Sequence, residues 1–303
     1  MIMRTINKIL KLMPISKSRF LIGVPYLWLF IFLVIPIILI LKVSVSESVL
    51  GIPPYKDIAS WTESTLRLFF DFENYQILFQ DKLYRFAFGQ SIQLASIATI
   101  LCLVTGYPIA YFISRTKEST QPFLLLLILL PFWTSFLLRV YAWIGLLSKN
   151  GLINNFLIKL HLIDTPLPLL GNGFAVTVGM VYCYLPFMVL PLYTNLSKFD
   201  PTLLEAAADL GCTPWKAFLK ITLPLSMPGI IAGCTLVFIP CIGEFVIPEI
   251  LGGPENFVLG KAIWTEFFSN RDWPMASTIA IFLIIFMVFP ITIVKKFHHG
   301  GNT

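Results

Sequence analysis

Six stretches of apolar residues, each long enough to cross a hydrocarbon layer as a helix, govern what this chain can fold into. They fall at about 20–41, 88–114, 122–147, 174–197, 228–250 and 277–294. About 20 apolar residues span the hydrocarbon core of a bilayer. Composition agrees: 13% of the 303 residues are charged and 57% are hydrophobic, whereas an average soluble domain carries about 25% charged residues. The expected fold is an all-α membrane protein with about six transmembrane helices. Several runs hold proline (Pro36, Pro131, Pro186 and Pro240), which membrane helices tolerate when neighbours satisfy the freed backbone groups.

The first run follows a basic N-terminus, as a signal peptide would. It is 22 residues long with no small-x-small cleavage site behind it, so an uncleaved first span is expected. Cys102, Cys183, Cys234 and Cys241 lie within apolar runs and Cys212 in a polar loop. The odd count and the spacing suit small apolar fillers, not disulfides or metal ligands.

The net charge of +6 does not point to nucleic acid, because its excess sits in short loops beside the spans. With the N-terminus inside, segments 1–19, 115–121, 198–227 and 295–303 hold 12 Lys or Arg against four acids. The opposite loops hold nine Lys or Arg against ten acids, eleven with Glu249 at the outer end of the fifth run, over a greater length. The positive-inside rule therefore puts both termini in the cytoplasm. The outer loops are long. The first carries Ile52-Pro53-Pro54, Tyr55 and Trp61, and the third starts with Gly252-Gly253-Pro254. In the second, Ile153, Phe156, Leu157 and Leu160 recur at helical spacing and predict an amphipathic helix on the membrane surface.

The inner loop at 200–224, DPTLLEAAADLGCTPWKAFLKITLP, reads as two short helices. Asp200 is an N-cap with Pro201 behind it. The first helix stops at Gly211, the residue preferred just past a helix end. Thr213 then caps a second helix that opens with Pro214 and ends before Pro224. Leu203, Ala207 and Leu210 form one apolar stripe, and Trp215, Phe218, Leu219 and Ile221 another. A loop this structured either docks against a partner or packs beneath its own bundle.

Glu205-Ala206-Ala207, Gly211 four residues on, then Phe218, Ile221, Leu223 and Pro224 resemble the EAA signature of type I ABC importer permeases. The stretches GYPIAYFISR (106–115), LPFWTSFLLRVYAWIGLL (130–147), NGLINNFL (150–157), YLPFMVLPLYTNL (184–196), GEFVIPEILGGP (243–254) and EFFSNRDWPMAS (266–277), with IPPY at 52–55, resemble polyamine importer permeases. Permeases for putrescine come foremost, with spermidine/putrescine permeases beside them. The resemblance implies the type I permease fold, with a permease domain at 88–297 behind an N-terminal segment, first helix and long outer loop at 1–87, and a short tail at 298–303. It implies four partners: a second homologous permease, a cytoplasmic ATPase dimer, a periplasmic substrate-binding protein and a polyamine. It makes the 200–224 loop a coupling element, with Glu205, Ala206, Ala207, Gly211, Pro214, Trp215 and Phe218 meeting the ATPase. The setting is then the bacterial inner membrane.

No phosphate cradle of the form GxxxxGK[ST] occurs. The nearest, Gly253…Gly260-Lys261-Ala262, has the wrong spacing and an alanine after the lysine. The chain is therefore expected to be a transport subunit and not an enzyme. It is expected to bind no cofactor or metal, with ATP and Mg used by the separate ATPase.

Two ionisable residues fall inside spans, where charge is costly and usually functional: Arg139 and Glu244. One reading pairs them with each other or with the partner subunit. The other lets Glu244 meet a substrate ammonium at a helix interrupted by Pro240 and Pro248. Tyr141, Trp143, Tyr182 and Tyr184 offer cation–π faces along a pathway, as does Trp133. Mid-span Tyr182 and Tyr184 stand above the others, since belt anchoring does not explain them. Glu249 and Glu255, placed just outside span five, are weaker candidates for contact with the binding protein. The competing classes are an ion-coupled secondary transporter or channel working alone, and an intramembrane enzyme, for which no catalytic pair is evident.

Overall fold

The computed structural model describes residues 17–62 and 65–299. The basic residues Arg4, Lys8 and Lys11, used above to orient the chain, lie outside the described residues. So does most of the 298–303 tail, whose first two residues end the last helix.

The first helix, α1, comprises Lys17–Leu29, a π-helical turn at Phe30–Val34 and Ile35–Ser44. The turn has a cause. Pro36 has no N–H to continue the ladder, and the Ile35 amide reaches back to Phe30 O across one extra residue. Of this span, Ile22–Ser44, the most apolar stretch has no buried residue, as suits a helix facing lipid. Its C-terminal end is pinned: Ser44 Oγ meets Tyr75 Oη at 2.8 Å, and Thr278 Oγ1 donates to Ser44 O at 3.0 Å.

The long loop after α1 holds the one departure from an all-helical fold among the described residues. Strands β1 (Ala59–Thr62) and β2 (Thr65–Leu68) pair antiparallel. Then come α2 (Glu73–Gln80) and the long α3 (Lys82–Arg115), whose start is capped by Asp81 Oδ1 accepting from Leu83 N.

The core is built where α3, α7 (Gly173–Leu196) and α10 (Met227–Ile242) pack against one another. Small residues let these backbones approach. A Cβ on Gly106 would lie 3.1 Å from Met188 Cγ, and one on Gly233 would lie 2.7 Å from Met188 Sδ. Ala87, Ala95, Ala98, Cys102 and Ala110 form the fully buried stripe of α3. Of the cysteines, Cys102, Cys183 and Cys241 are buried and Cys212 and Cys234 half-buried.

Two expected spans are not single helices. The third run begins as α4 (Gln121–Leu129), tightens into a 3₁₀ turn at Leu130–Trp133 and resumes as α5 (Phe136–Leu147). Across Thr134–Ser135 the chain bends by 89°, behind the donor that Pro131 lacks. The fifth run comprises α10 and a separate short helix, α11 (Val246–Leu251), with Gly243–Phe245 between them. Among the described residues three helices are long and apolar enough to cross a membrane, or five if two bent pairs each count as one span: Gln121–Trp133 with Phe136–Lys159, and Pro214–Leu225 with Met227–Ile242, the second bent by 63°. Trp273–Val288 is a shorter apolar stretch.

The expected surface helix of the second outer loop is α6 (Leu152–Lys159). Buried Asn154 clasps this loop. Its Nδ2 donates to Ser148 O and Leu167 O, and its Oδ1 accepts from Leu167 N. The inner loop carries α8 (Thr202–Asp209) and α9. The latter comprises Pro214–Ala217, a π-helical turn at Phe218–Thr222 and Leu223–Leu225. Beyond α11, α12 (Leu259–Trp264) unwinds through a π-helical turn at Thr265–Ser269, and α13 (Trp273–His299) ends the described chain.

Candidate functional site

The hairpin at 200–225 forms much as its residues dictate. Asp200 Oδ1 accepts from Thr202 N at 3.0 Å, and this bond holds the Asp200 carboxyl below its ordinary value. Gly211 has φ +77°. Cys212 N donates to Ala207 O and Gly211 N to Ala208 O, both at 2.9 Å. This double closure is a Schellman motif with glycine just past the helix end.

Two expectations about the second helix are corrected. Thr213 sits at its N-cap without a side-chain bond, and the helix does not stop before Pro224. As at Pro36, a π-turn two residues earlier takes the proline in: Leu223 N bonds Phe218 O. Thr222 Oγ1 is buried without a partner among the described residues, and Thr222 lines a cavity of about 280 Å³ with Cys212, Ala208 and Tyr111.

The hairpin is anchored on one side and bare on the other. Phe218 stacks on Trp215 and meets the rings of Tyr107 and Tyr111 edge-on at 5.7 and 6.3 Å. Tyr107 Oη meets Ser226 Oγ at 2.9 Å, and Arg115 lies over the rings of Tyr111 and Phe199. Ala207 and Ala217 are buried against this support, whereas Glu205, Ala206, Gly211 and Pro214 are exposed. Leu210 is 88% and Trp215 68% exposed. Sequence reasoning missed the supports Tyr107, Tyr111, Arg115 and Phe199, whose roles follow from packing alone.

The two buried charges do not form an ion pair. Glu244 is 8% exposed. Its Oε2 accepts from the Tyr184 hydroxyl. Its Oε1 accepts from the amides of Phe245, Val246 and Ile247 at 3.1, 2.9 and 3.3 Å. The carboxylate thus caps the break before α11 and joins it to α7. Arg139 is 9% exposed, with its guanidinium carbon 4.7 Å from the Phe132 ring centre and 5.6 Å from that of Phe136. Its Nε and Nη1 have no hydrogen-bond partner among the described residues. Glycine makes the break compact: a Cβ on Gly260 would lie 2.7 Å from both Glu244 O and Gly243 O.

The aromatic candidates divide. Tyr184 is bound to Glu244. Trp143 and Tyr182 meet edge-on at 5.6 Å, with Tyr182 partly open, and Tyr141 and Trp133 are exposed. Glu249 is not a loop residue. It lies in α11 with its Oε2 2.8 Å from Lys261 Nζ, while Glu255 is exposed on the loop beyond. Phe245 stacks on Trp264 at 4.6 Å beside the break, a contact that no spacing rule revealed. Among the described residues no cluster of His, Cys, Asp or Glu suits a metal ion.

Comparison with known proteins follows this geometry. Residues 103–297 match the family described as "Binding-protein-dependent transport system inner membrane component". The chain is 40% identical over 260 residues to the spermidine/putrescine transport system permease protein PotB of Escherichia coli (strain K12), covering 86% of this chain and 90% of that one. To the protein of the same name from Haemophilus influenzae it is 37% identical over 278 residues, covering 92% and 93%. Among solved structures, a bacterial ABC transporter importing the acidic polysaccharide alginate superposes with a TM-score of 0.64 at 16% identity, over 92% of this chain and 96% of that one. The methionine ABC transporter MetNI superposes with a TM-score of 0.54 at 14% identity, over 72% and 95%. The fold is that of type I ABC importer permeases, and the chain belongs to the family of binding-protein-dependent transport system inner membrane components.

Proposed function

We propose that this chain is the permease subunit of an ABC importer that carries a polyamine, putrescine foremost, across the inner membrane by alternating access. The observation that carries the reading is the projecting hairpin at 200–225, which lies within the matched family region and holds Leu210 and Trp215 out into solvent. Apolar side chains held out on a braced hairpin fit a docking element. The polyamine assignment rests on the relatives named above, at 37–40% identity.

In this reading a cytoplasmic ATPase dimer seats on Glu205, Ala206, Ala207, Gly211, Pro214, Trp215 and Phe218. It hydrolyses ATP with the help of Mg, neither of which this chain binds. A second permease of similar fold completes the passage. A periplasmic binding protein delivers the substrate, and both termini face the cytoplasm. ATPase closure shifts the permease between states by its differential affinity for them. The force enters at Phe218 and passes to α3 through Tyr107 and Tyr111.

The pathway is assigned to the region of Glu244, Arg139, Tyr182, Tyr184, Tyr141 and Trp143. Glu244 supplies the negative field a polycation requires, and Tyr182 with Trp143 supplies aromatic faces. The test is uptake of radiolabelled putrescine and spermidine by vesicles holding the purified four-component complex. Uptake that needs ATP and the ATPase supports the proposal. Accumulation by the purified chain alone overturns it in favour of a secondary transporter.

A further inference from the structure

At the outer face, residues 48–55 form a short finger. Ser48 bridges Tyr55, Val49 N donates to Pro54 O, and Lys56 N donates to Glu47 O. Lys56 Nζ and Glu47 Oε2 lie 2.7 Å apart across its base. Pro54 is buried, and the Tyr55 ring lies 6.2 Å from that of Trp273. The base is thus fixed. The tip carries two large aliphatic side chains with almost nothing against them: Leu50 is 108% and Ile52 94% exposed.

Single exposed aliphatic residues are ordinary on protein surfaces. Two of them, carried at the tip of a braced loop, form an apolar knob. Beside it lies a cavity of about 400 Å³ whose wall includes Ser48, Gly51, Glu266, Arg271 and Asp272. An apolar centre bordered by charges of both signs has the anatomy of a protein-docking patch. Carboxylates such as Glu266 and Asp272 at its edge disfavour burial of the tip in a lipid headgroup layer, which attracts cations instead.

The position decides which protein. Tyr84, near the start of α3, donates to Glu266 of the cavity wall at 2.9 Å. Tyr111, toward the other end of that helix, supports the hairpin. Twenty-seven residues of helix separate the two tyrosines, about 40 Å. The finger therefore lies on the face opposite the ATPase hairpin.

We infer that the Leu50–Ile52 tip is a docking knob for the substrate-binding protein. This inference rests on the importer reading above. It moves the contact away from Glu249, whose carboxylate is taken by Lys261.

The test uses the complete importer in vesicles and its own substrate-binding protein loaded with putrescine. The concentration of binding protein that gives half-maximal ATPase stimulation is measured for the parent, for Leu50→Ser/Ile52→Ser and for Leu50→Met/Ile52→Val. The serine variant is expected to raise it about ten-fold, as loss of partial burial of two aliphatic side chains predicts. The Met/Val variant stays within about two-fold, and basal and maximal rates stay level. A serine variant within two-fold of the parent overturns the inference. So does a serine variant that lowers membrane recovery while leaving half-saturation unchanged, which assigns the tip to lipid. A parent complex that no binding protein stimulates removes the importer reading itself, an outcome visible before any variant is made.

Discussion

The Tyr184 hydroxyl on α7 donates to the carboxylate of Glu244, the residue whose other oxygen gathers three backbone amides at the break before α11. One side chain thus closes a helix start and ties it to a neighbouring helix. Tyr184→Phe is expected to cost about 1 kcal/mol, and Glu244→Ala about 1–3 kcal/mol because buried amides lose their acceptor. Glu244→Gln falls between them and lowers putrescine uptake. Thermal unfolding in detergent checks the order; a Glu244→Ala protein as stable as the parent removes the capping role.

Gly211 occupies a left-handed conformation at φ +77°, which costs a β-branched residue about 1–2 kcal/mol. Gly211→Val should reach the membrane at parental level while losing ATP-driven uptake. Gly211→Ala should lose less. Parental uptake in the valine variant would falsify the coupling role of the turn.

Gly260 faces the break at the distance of a bare backbone. A methyl group there meets two carbonyl oxygens at 2.7 Å, and neither belongs to a flexible side chain. Gly260→Ala should destabilise the protein by about 1–3 kcal/mol, as overpacking does, and reduce recovery of folded protein from membranes. Size-exclusion profiles and melting curves report it.

Arg139 is buried on two phenylalanine rings with Nε and Nη1 unpaired. A buried charge without a full set of partners is weak evidence for stability, and apolar replacement is often neutral or better. Arg139→Met should therefore melt at or above the parental temperature. Arg139→Lys should melt lower, since an ammonium lacks the flat guanidinium that stacks on the rings. A melting temperature for Arg139→Met well below the parent shows that an acceptor holds this guanidinium in the assembled importer.

Asp200 sits at the start of α8 with its carboxyl held below the ordinary value by the Thr202 amide. A depressed carboxyl contributes stability that is present above its unfolded value and is lost as pH falls through the folded one. Acidification below about pH 4 should therefore lower the protection factor of the Thr202 amide in the parent, with its exchange referred to the intrinsic rate at each pH. In Asp200→Asn the pH-dependent component should vanish; an identical pH profile in both proteins refutes the cap.

The hairpin was legible because its signals are local. Asp200, Gly211 and Pro214 each act on their own turn, and the positive φ expected at Gly211 is present. The spans were legible as apolar runs, but their interruptions were not. Pro131 flags the third run, but membrane helices also accept proline as a mild kink, so the sequence does not foretell the 89° bend at Thr134–Ser135. Pro224 read as a terminator, yet an extra residue in the preceding turn absorbs it. The partners of Glu244, Arg139 and Glu249 lie on other helices, so only packing could disclose that Glu244 binds Tyr184, that Arg139 rests on phenylalanines and that Glu249 is spent on Lys261.

The length of α3 has a mechanical consequence. It is one helix of 34 residues, about 50 Å from end to end, gripped near one end by the ring of Phe218 and joined near the other to Glu266. A rod that long acts as a lever. Tilting it by about 5° carries its far tip roughly 4 Å, as the sine of that angle over 50 Å of helix requires. A small push on the aromatic cluster around Phe218 thus arrives at the far end of the helix as a movement wide enough to separate side chains that had been in contact.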